Sequence, residues 1–299
     1  MNSTAPATQG EASFPIIVIG MHRSGTTLLS RTLTQMGVAM GENLSHNHEE
    51  PFFSMINDWL MSLAEASWAN PSSVSLLLEN AELRAAAARH MRALLRSPHT
   101  ARARGWAWYR ASRFGSDLSA PTNWGWKDPR NTFTLPLWLD LFPNAKVLHI
   151  YRNGIDVARS LQVRAEGDVG RISQWVDEVS PVQFLRALPR PPITISLRCL
   201  ALERAFELWE QYTATAESAL ESLLPGRALA IQYEEFLASP ADGLRQLDAF
   251  LASGCSTATL ESIASQFRPD RGEAYKSDPD LVRFRESVKD RPQMQRYGY

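Results

Sequence analysis

A glycine-bounded loop at residues 20–25 has the composition of an anion-binding site. Its sequence, GMHRSG, follows an apolar run at residues 14–19 and leads directly into the helical pattern TTLL. A buried strand, a tight turn and the start of a helix direct backbone N–H groups and the positive end of the helix dipole towards one volume. The loop therefore predicts a site for a phosphate-like group.

The loop differs from the P-loop of nucleotide triphosphatases at one position. That motif, G-x-x-x-x-G-K-[ST], requires a lysine where this chain has Thr26. The cationic residue is Arg23, which lies inside the loop. The sequence thus predicts anion binding without the usual arrangement of lysine and Mg²⁺, and it predicts no metal site.

A second set of polar residues surrounds Arg152. This arginine follows the apolar run at residues 145–151, and parallel sheets bind ligands at the carboxyl ends of their strands. Ser160 comes about two helical turns later, so both side chains fall near one side of a helix. An arginine fork with a hydroxyl suits a second phosphate. The alternative is a surface arginine and an ordinary helix serine.

The third set is the segment WGWKDPR, which places Lys127 at the end of a short strand-like run and beside an arginine. Positive charge at a strand end stabilises an anionic group while it is transferred. The alternative is a structural ion pair between Lys127 and Asp128.

The elements that position these residues alternate between two patterns. Runs rich in strand formers lie at residues 14–19, 124–127, 145–151 and 228–233, and helical patterns lie between them. This alternation predicts an α/β, P-loop-like three-layer fold with a central, mostly parallel sheet flanked by helices. Residues 43–80 and 164–192 do not have the pattern of core segments, and we expect substrate loops or a lid there.

Bulk composition excludes several classes of protein. The 299 residues include 31 basic and 32 acidic side chains, and this balance argues against a nucleic-acid partner. Two widely spaced cysteines are typical of reduced thiols, and no apolar run is long enough for an integral membrane segment. Residues 1–13 lack the features of a secretory signal. We therefore predict a cytoplasmic protein with a disordered tail at 1–13 and a single domain at 14–299.

Taken together, the motifs resemble the sulfotransferases that use 3′-phosphoadenosine 5′-phosphosulfate (PAPS). The likeness is greatest to the branch that includes many bacterial enzymes and the tyrosylprotein sulfotransferases. HRSGTTLL is similar to the family's 5′-phosphosulfate loop, YRNGIDVARSL to its 3′-phosphate motif and WKDPR to its Lys-Asp-Pro element. YEEF resembles a late strand whose tyrosine lies near the adenine, and the closing RYGY is common in the bacterial branch. The resemblance extends from Pro15 to the last residue.

The resemblance implies a sulfotransferase with PAPS as donor co-substrate and no metal. The roles that it implies are 5′-phosphosulfate binding by Arg23, Ser24, Gly25, Thr26 and Thr27, 3′-phosphate binding by Arg152 and Ser160, a position near the adenine for Tyr233, and stabilisation of the transferred sulfuryl group by Arg23 and Lys127. Arg268, Arg271 and Lys276 stand where the family often has another 3′-phosphate contact, but the Arg-Lys-Gly of the cytosolic branch is absent.

A general base must take the proton from the acceptor hydroxyl or amine. In the tyrosylprotein branch this base is a glutamate after a glycine, and Glu42 matches that place. Four neighbouring side chains compete with it for the role: His46, His48, Glu49 and Glu50. The acceptor is expected to be a small molecule, a saccharide or a lipid, and the sequence identifies neither which of these it is nor the oligomeric state.

Two other functions are weighed against sulfuryl transfer. A P-loop small-molecule kinase needs the motif's lysine and a strand ending in an aspartate for Mg²⁺, whereas the run at residues 145–151 ends in Arg152. A nucleotide-sensing or scaffold protein would keep the anion cradle without the base.

Overall fold

The computed structural model describes residues 14–41, 44–97, 123–186, 196–268 and 272–299. The predicted tail at 1–13 lies outside the described residues. The elements in chain order are β1 (Pro15–Ile19), α1 (Thr26–Gln35), α2 (Pro51–Leu63), α3 (Val74–Glu79), α4 (Ala81–Arg96), β2 (Trp124–Lys127), α5 (Asn131–Leu141), β3 (Lys146–Tyr151), α6 (Gly154–Glu178), α7 (Pro181–Arg186), a 3₁₀ turn (Leu197–Leu200), α8 (Leu202–Glu221), β4 (Ala228–Gln232), α9 (Tyr233–Ala238), α10 (Pro240–Leu251), α11 (Thr257–Ala264), a second 3₁₀ turn (Ala274–Ser277), α12 (Pro279–Val288) and α13 (Pro292–Tyr297). Within those ranges, no helix combines the length and the apolar character needed to cross a bilayer.

The four strands form one parallel sheet in the order β2-β1-β3-β4. The register pairs Val18 of β1 with Lys127 on one side and with Leu148 on the other. Because every strand runs in the same direction, all four carboxyl ends meet at one edge of the sheet. The predicted α/β fold with a central parallel sheet is confirmed.

Alternation along β1 divides the core into two layers. Ile16 and Val18 pack with Leu29 and Leu33 of α1, on the face that α9, α10 and α11 also cover. Ile17 and Ile19 pack on the opposite face against side chains of α2 and α5. Since β1 is buried on both faces, its uninterrupted apolar sequence is the pattern expected of a central parallel strand.

The expectation of irregular structure at residues 43–80 is wrong for most of that segment. Helix α2 buries Phe53, Ile56 and Leu60, whose i, i+3, i+7 spacing forms one apolar face. The carboxylate of Glu50 accepts a hydrogen bond from Phe53 N at 3.1 Å and caps the helix. The histidines and acids just before α2 make the segment look polar by composition, although the spacing of its apolar residues predicts a helix.

The loop or flap expected at residues 164–192 is also wrong over its first half. Helix α6 continues to Glu178 through Gly167 and Gly170, and α7 follows. A Cβ added at either glycine would meet nothing within 4 Å, so both face open space, where glycine costs a helix only about 1 kcal/mol. The remainder, residues 187–192, lies outside the described residues.

A buried polar network fastens α2 and α5 to β1. Asn57 donates to Asn131 Oδ1 at 2.8 Å, and Asn131 donates in turn to the carbonyl of Val18 at 3.0 Å. Asn57 Oδ1 accepts from Thr134 Oγ1 and from Trp138 Nε1. Buried amides are tolerated only when they are hydrogen-bonded, so this network fixes the start of α5 relative to the carboxyl end of β1.

The central strand β3 contains a buried histidine. His149 is 1% exposed, and burial lowers its pKa from 6.5 to about 4. Neither ring nitrogen has a hydrogen-bond partner among the described residues. The folded protein therefore holds a neutral imidazole, whereas the unfolded chain binds a proton at this position below pH 6.5.

We predict that His149 makes the protein sensitive to acid. Because the folded-state pKa is depressed, its contribution to stability is lost as the pH falls from 6.5 towards 4. Between about pH 7.5 and 4.5 this group alone should lower the free energy of unfolding by about 2.5 kcal/mol. Urea unfolding of the wild type and of His149→Leu at both pH values measures it. Equal losses of stability in the two proteins would contradict the prediction.

Candidate active site

The carboxyl edge of the sheet opens into a cleft of about 580 Å³. Its lining is strongly cationic, with six basic side chains and one acidic side chain among the described residues. The charged residues that line it are Arg23, Arg31, Lys127, Arg152, Arg164, Arg268 and Glu49. A cleft with this imbalance attracts and holds an anion.

The loop after β1 is shaped by two glycines with positive φ. Gly20 has φ +134° and donates its N–H to Thr132 Oγ1 at 3.1 Å. Gly25 has φ +93° and caps the start of α1. A Cβ at Gly25 would lie 2.4 Å from the ring of Tyr233, so only glycine allows the loop to approach this ring.

The hydroxyl residues of the loop have different surroundings. Ser24 is fully buried, its hydroxyl has no partner among the described residues, and it is not one of the residues that line the cleft. Thr26 is buried and approaches the position that a Gly20 side chain would take. Thr27 lines the cleft and donates to the carbonyl of Asn47 at 3.0 Å.

A direct hydrogen bond joins the first motif to the second. Arg23 Nε donates to Ser160 Oγ at 2.7 Å, across 137 positions of sequence. Partial burial and the charges of Arg164 and Arg152 lower the pKa of Arg23, which remains a cation at neutral pH. The predicted 5′ and 3′ anion sites thus share one cleft.

Arg152 is held through both its backbone and its side chain, and its carbonyl accepts a hydrogen bond from Trp209 Nε1 at 3.0 Å. It donates to Asp156 Oδ2 at 3.0 Å, and its guanidinium lies over the ring of Tyr233, 4.8 Å from the centroid. The same Asp156 carboxylate accepts hydrogen bonds from the backbone N–H groups of Ala274 and Tyr275. Asp156 therefore fastens the segment that begins at residue 272 to the first turn of α6.

The structural ion pair considered for Lys127 and Asp128 does not form. The ammonium of Lys127, whose side chain is 2% exposed, lies 3.0 Å from Glu49 Oε1 and 2.9 Å from the carbonyl of Asn47. Asp128 instead accepts from Arg130, whose side chain turns back towards it. Asp128 Oδ1 also accepts from the backbone N–H of Arg130, the residue before α5, at 2.9 Å.

The structure separates the five candidates for the base. Glu42 lies outside the described residues. His46 is exposed, Glu50 is used as the cap of α2, and His48 Nε2 accepts a hydrogen bond from Arg31 at 2.8 Å. Burial and the charges of Arg31 and Lys127 lower the pKa of His48. Of the four described candidates, Glu49 lines the cleft.

Sequence reasoning missed His22, whose imidazole also lines the cleft. Its ring contacts Trp68 edge-on, with 4.8 Å between centroids. Burial, followed by the charges of Lys127 and Arg164, lowers the pKa of His22 well below 6.5, so the ring is neutral at pH 7. A neutral imidazole among cations offers a hydrogen-bond acceptor.

Three arginines of the cleft were also left out of the predicted site. Arg31 follows Thr27 by one helical turn, and Arg164 follows Ser160 by one turn. Residues four apart share a helix face, so this spacing was a usable signal. Arg268 follows α11 and had no comparable signal beyond the family resemblance.

We predict that Gly25→Ala destabilises the protein more than Gly37→Ala. Both glycines have positive φ, but a Cβ at Gly37 would meet nothing within 4 Å. Gly37→Ala is the control, and backbone strain alone should lower its free energy of unfolding by about 1 kcal/mol. Gly25→Ala should lower the free energy of unfolding by at least about 2 kcal/mol more, because the methyl group displaces the Tyr233 ring. Urea unfolding measures both, and equal losses would contradict the close approach.

The sequence model of the sulfotransferase family matches residues 15–254 of this chain. Similar solved structures include the sulfotransferase domain of the Synechococcus PCC 7002 olefin synthase, at 17% identity and TM-score 0.45 over 95% of this chain and 92% of that chain. A sulfotransferase domain from the curacin biosynthetic pathway has 15% identity and TM-score 0.48 over 92% and 97%. A sulfotransferase from Alicyclobacillus acidocaldarius has 17% identity and TM-score 0.44 over 92% and 95%. Among proteins of curated function, none matches this sequence. Because the family match spans all four strands and the loops that follow them, this chain belongs to the sulfotransferase family.

Proposed function

We propose that this protein transfers a sulfuryl group from PAPS to a hydroxyl or amine acceptor. One observation carries the proposal: Arg23 and Ser160 are hydrogen-bonded to each other in a cleft that Arg152 also lines. Two arginines that line one cleft can each bind a separate phosphate of one nucleotide, and the Ser160 hydroxyl adds a further donor. In PAPS those two groups are the 5′-phosphosulfate and the 3′-phosphate.

The adenine is proposed to bind the apolar part of the cleft. Leu28, Leu237 and Phe267 line this part, together with the amide of Gln266. Phe267 is held edge-on by Phe236, with 4.8 Å between ring centroids. Apolar walls with one amide suit a purine, whose faces are apolar and whose edge carries hydrogen-bonding groups.

The transfer forms a bond from sulfur to the acceptor oxygen or nitrogen and breaks one S–O bond. The acceptor oxygen or nitrogen attacks sulfur, the bond from sulfur to the 5′-phosphate oxygen breaks, and adenosine 3′,5′-bisphosphate leaves with the electron pair. Negative charge develops on the oxygens around sulfur and on the leaving phosphate. Arg23 and the buried Lys127 both line the cleft and are proposed to stabilise this charge. Loop N–H groups at the start of α1 add to them.

We propose Glu49 as the residue that takes the acceptor proton. Its carboxylate lines the cleft and contacts Lys127, the cation assigned to the sulfuryl group. A base beside that cation lies next to the atom that the acceptor attacks, which is the geometry that proton removal needs. Glu42, implied by the family resemblance, stays a prediction outside the described residues.

The kinase alternative is weakened by two side chains. Thr26, which stands at the P-loop lysine position, lines the cleft but carries no charge. Asp128, the aspartate next to a strand end, is fully buried and occupied by Arg130. A kinase of this kind needs a lysine on the phosphates and a carboxylate free to hold Mg²⁺.

The acceptor class is proposed to be a small molecule, a saccharide or a lipid with a free hydroxyl or amine. Incubation with PAPS carrying radioactive sulfur and a panel of metabolites or cell extract identifies the molecule that gains the label. Release of label only as inorganic sulfate across the whole panel would contradict transfer to an organic acceptor. Membership of the tyrosylprotein-related branch and a cytoplasmic location remain predictions.

We predict that the protein binds adenosine 3′,5′-bisphosphate much more tightly than ADP, and that Arg152→Ala removes the difference. An arginine–phosphate pair in a partly buried site contributes about 2–3 kcal/mol, so the loss should be about 30- to 140-fold. Isothermal titration calorimetry with both nucleotides measures it. The exposed Arg89 provides a matched control, and Arg89→Ala should keep the wild-type preference. Equal wild-type affinities would overturn the 3′-phosphate assignment.

We predict that Glu49→Gln lowers the turnover number by about 100-fold or more, because loss of a general base costs that much. Its affinity for adenosine 3′,5′-bisphosphate should change little, since the carboxylate is assigned to the acceptor. Transfer of labelled sulfate to the acceptor found in the panel gives the rate. His46→Ala, at an exposed neighbour, is the control and should remain active. If Glu49→Gln retains turnover and Glu42→Gln loses it, the base is Glu42.

A further inference from the structure

Two tyrosines at the end of the sequence contact the segment that carries Arg152. Tyr297 ends α13, and Tyr299 follows Gly298, whose φ of +72° turns the chain back. Tyr299 N donates to the carbonyl of Met294 at 2.9 Å, so this last turn is itself ordered by hydrogen bonding. The mechanism above makes no use of either tyrosine.

Tyr299 reaches the first turn of α6 through one carboxylate. Its hydroxyl donates to Glu234 Oε2 at 2.9 Å, and Glu234 Oε1 accepts from the backbone N–H of Asn153 at 3.0 Å. The side chain of Asn153 then accepts from Ile155 N at 2.9 Å and caps α6. Two hydrogen bonds thus lead from Tyr299 to Asn153, the residue after Arg152, and a third continues from Asn153 into α6.

Tyr297 contacts the residue on the other side of Arg152. Its ring lies against that of Tyr151, with 4.3 Å between centroids and 33° between planes. Tyr233, the neighbour of Glu234, lies beneath the guanidinium of Arg152 itself. Residues 151, 152 and 153 are therefore each held by an aromatic ring or a carboxylate from α9 or from the last three residues.

We propose that Tyr299, acting through Glu234, and Tyr297 are positioning residues for Arg152, and that selectivity for a 3′-phosphate depends on them. The inference rests on the proposed function. A guanidinium binds a phosphate through paired, directional hydrogen bonds, so its backbone must be held to within about 0.5 Å. Tyr233 packs under the Arg152 guanidinium, whereas Tyr297 and Tyr299 hold the backbone on either side of Arg152.

The hydroxyl of Tyr299 has a specific part in this arrangement. Burial raises the pKa of Glu234, and the hydrogen bonds from Asn153 and Tyr299 counteract the rise. Without the Tyr299 hydroxyl, the partly buried carboxylate loses its hydrogen bond from that side chain and keeps those from backbone N–H groups. Its hold on Asn153 N then weakens, and the turn that carries Arg152 loosens. The aromatic ring of a phenylalanine would still fill the same space.

The test compares two nucleotides that differ at the 3′ position. Calorimetry gives the affinities of wild type, Tyr299→Phe and Tyr297→Leu for adenosine 3′,5′-bisphosphate and for adenosine 5′-monophosphate. We expect each variant to bind the bisphosphate about five- to tenfold more weakly, because each loses one of several contacts that position Arg152, and to bind the monophosphate as before. Glu234→Gln should behave like Tyr299→Phe. A general loss of folding would weaken both nucleotides together.

Tyr212→Phe is the matched control. Tyr212 also donates a tyrosine hydrogen bond, to the carbonyl of Trp68 at 2.8 Å, but it has no link to Arg152 in the described structure. It should keep the wild-type ratio of affinities. If the wild type prefers the bisphosphate and the Tyr299 and Tyr297 variants keep the full preference, the positioning role is overturned and the proposed function stands. If the wild type shows no preference, the proposed function fails, and this inference fails with it.

Discussion

The parallel pairing of β1 with β2 on one side and β3 on the other is the constraint on which the cleft depends. Neighbouring strands of a sheet lie about 4.8 Å apart, so the residues that follow their carboxyl ends lie within side-chain reach of one another. Arg23, Lys127 and Arg152 follow the ends of β1, β2 and β3. Arg23 is more than a hundred residues away in sequence from each of the other two. An antiparallel neighbour would have placed its carboxyl end at the opposite edge.

Holding several cations in one partly buried cleft has an electrostatic cost, and the structure offsets it with individual partners. Lys127 has Glu49, Arg152 has Asp156 and the face of Tyr233, and Arg23 has a hydroxyl. These partners also order the side chains, so an anion meets donors that are already oriented. The pairing of Lys127 with Glu49 has a further consequence. It couples the charge assigned to the sulfuryl group to the carboxylate proposed to take the proton.

Several features of the fold could be predicted because they depend on local pattern. The apolar runs identify all four strands to within one residue, and alternation with helices predicts the parallel sheet. Composition was a poor guide in two segments. Polar residues before α2 led to a loop being predicted where Phe53 and Ile56 form an apolar helix face. Gly167 and Gly170 led to a loop being predicted inside α6. Glycines on an open helix face are tolerated because the buried face stabilises the helix.

By itself, the sequence determined the strands, the glycine-bounded loop and the residues at the strand ends, since each is set by neighbours along the chain. The tertiary structure decided which of those residues meet. It paired Lys127 with Glu49 rather than with the adjacent Asp128, brought Arg23 to Ser160, and added His22 and three arginines to the cleft. Contacts of this kind depend on the direction of a side chain and on the packing of distant helices. Neither quantity is encoded in the spacing of residues along one segment.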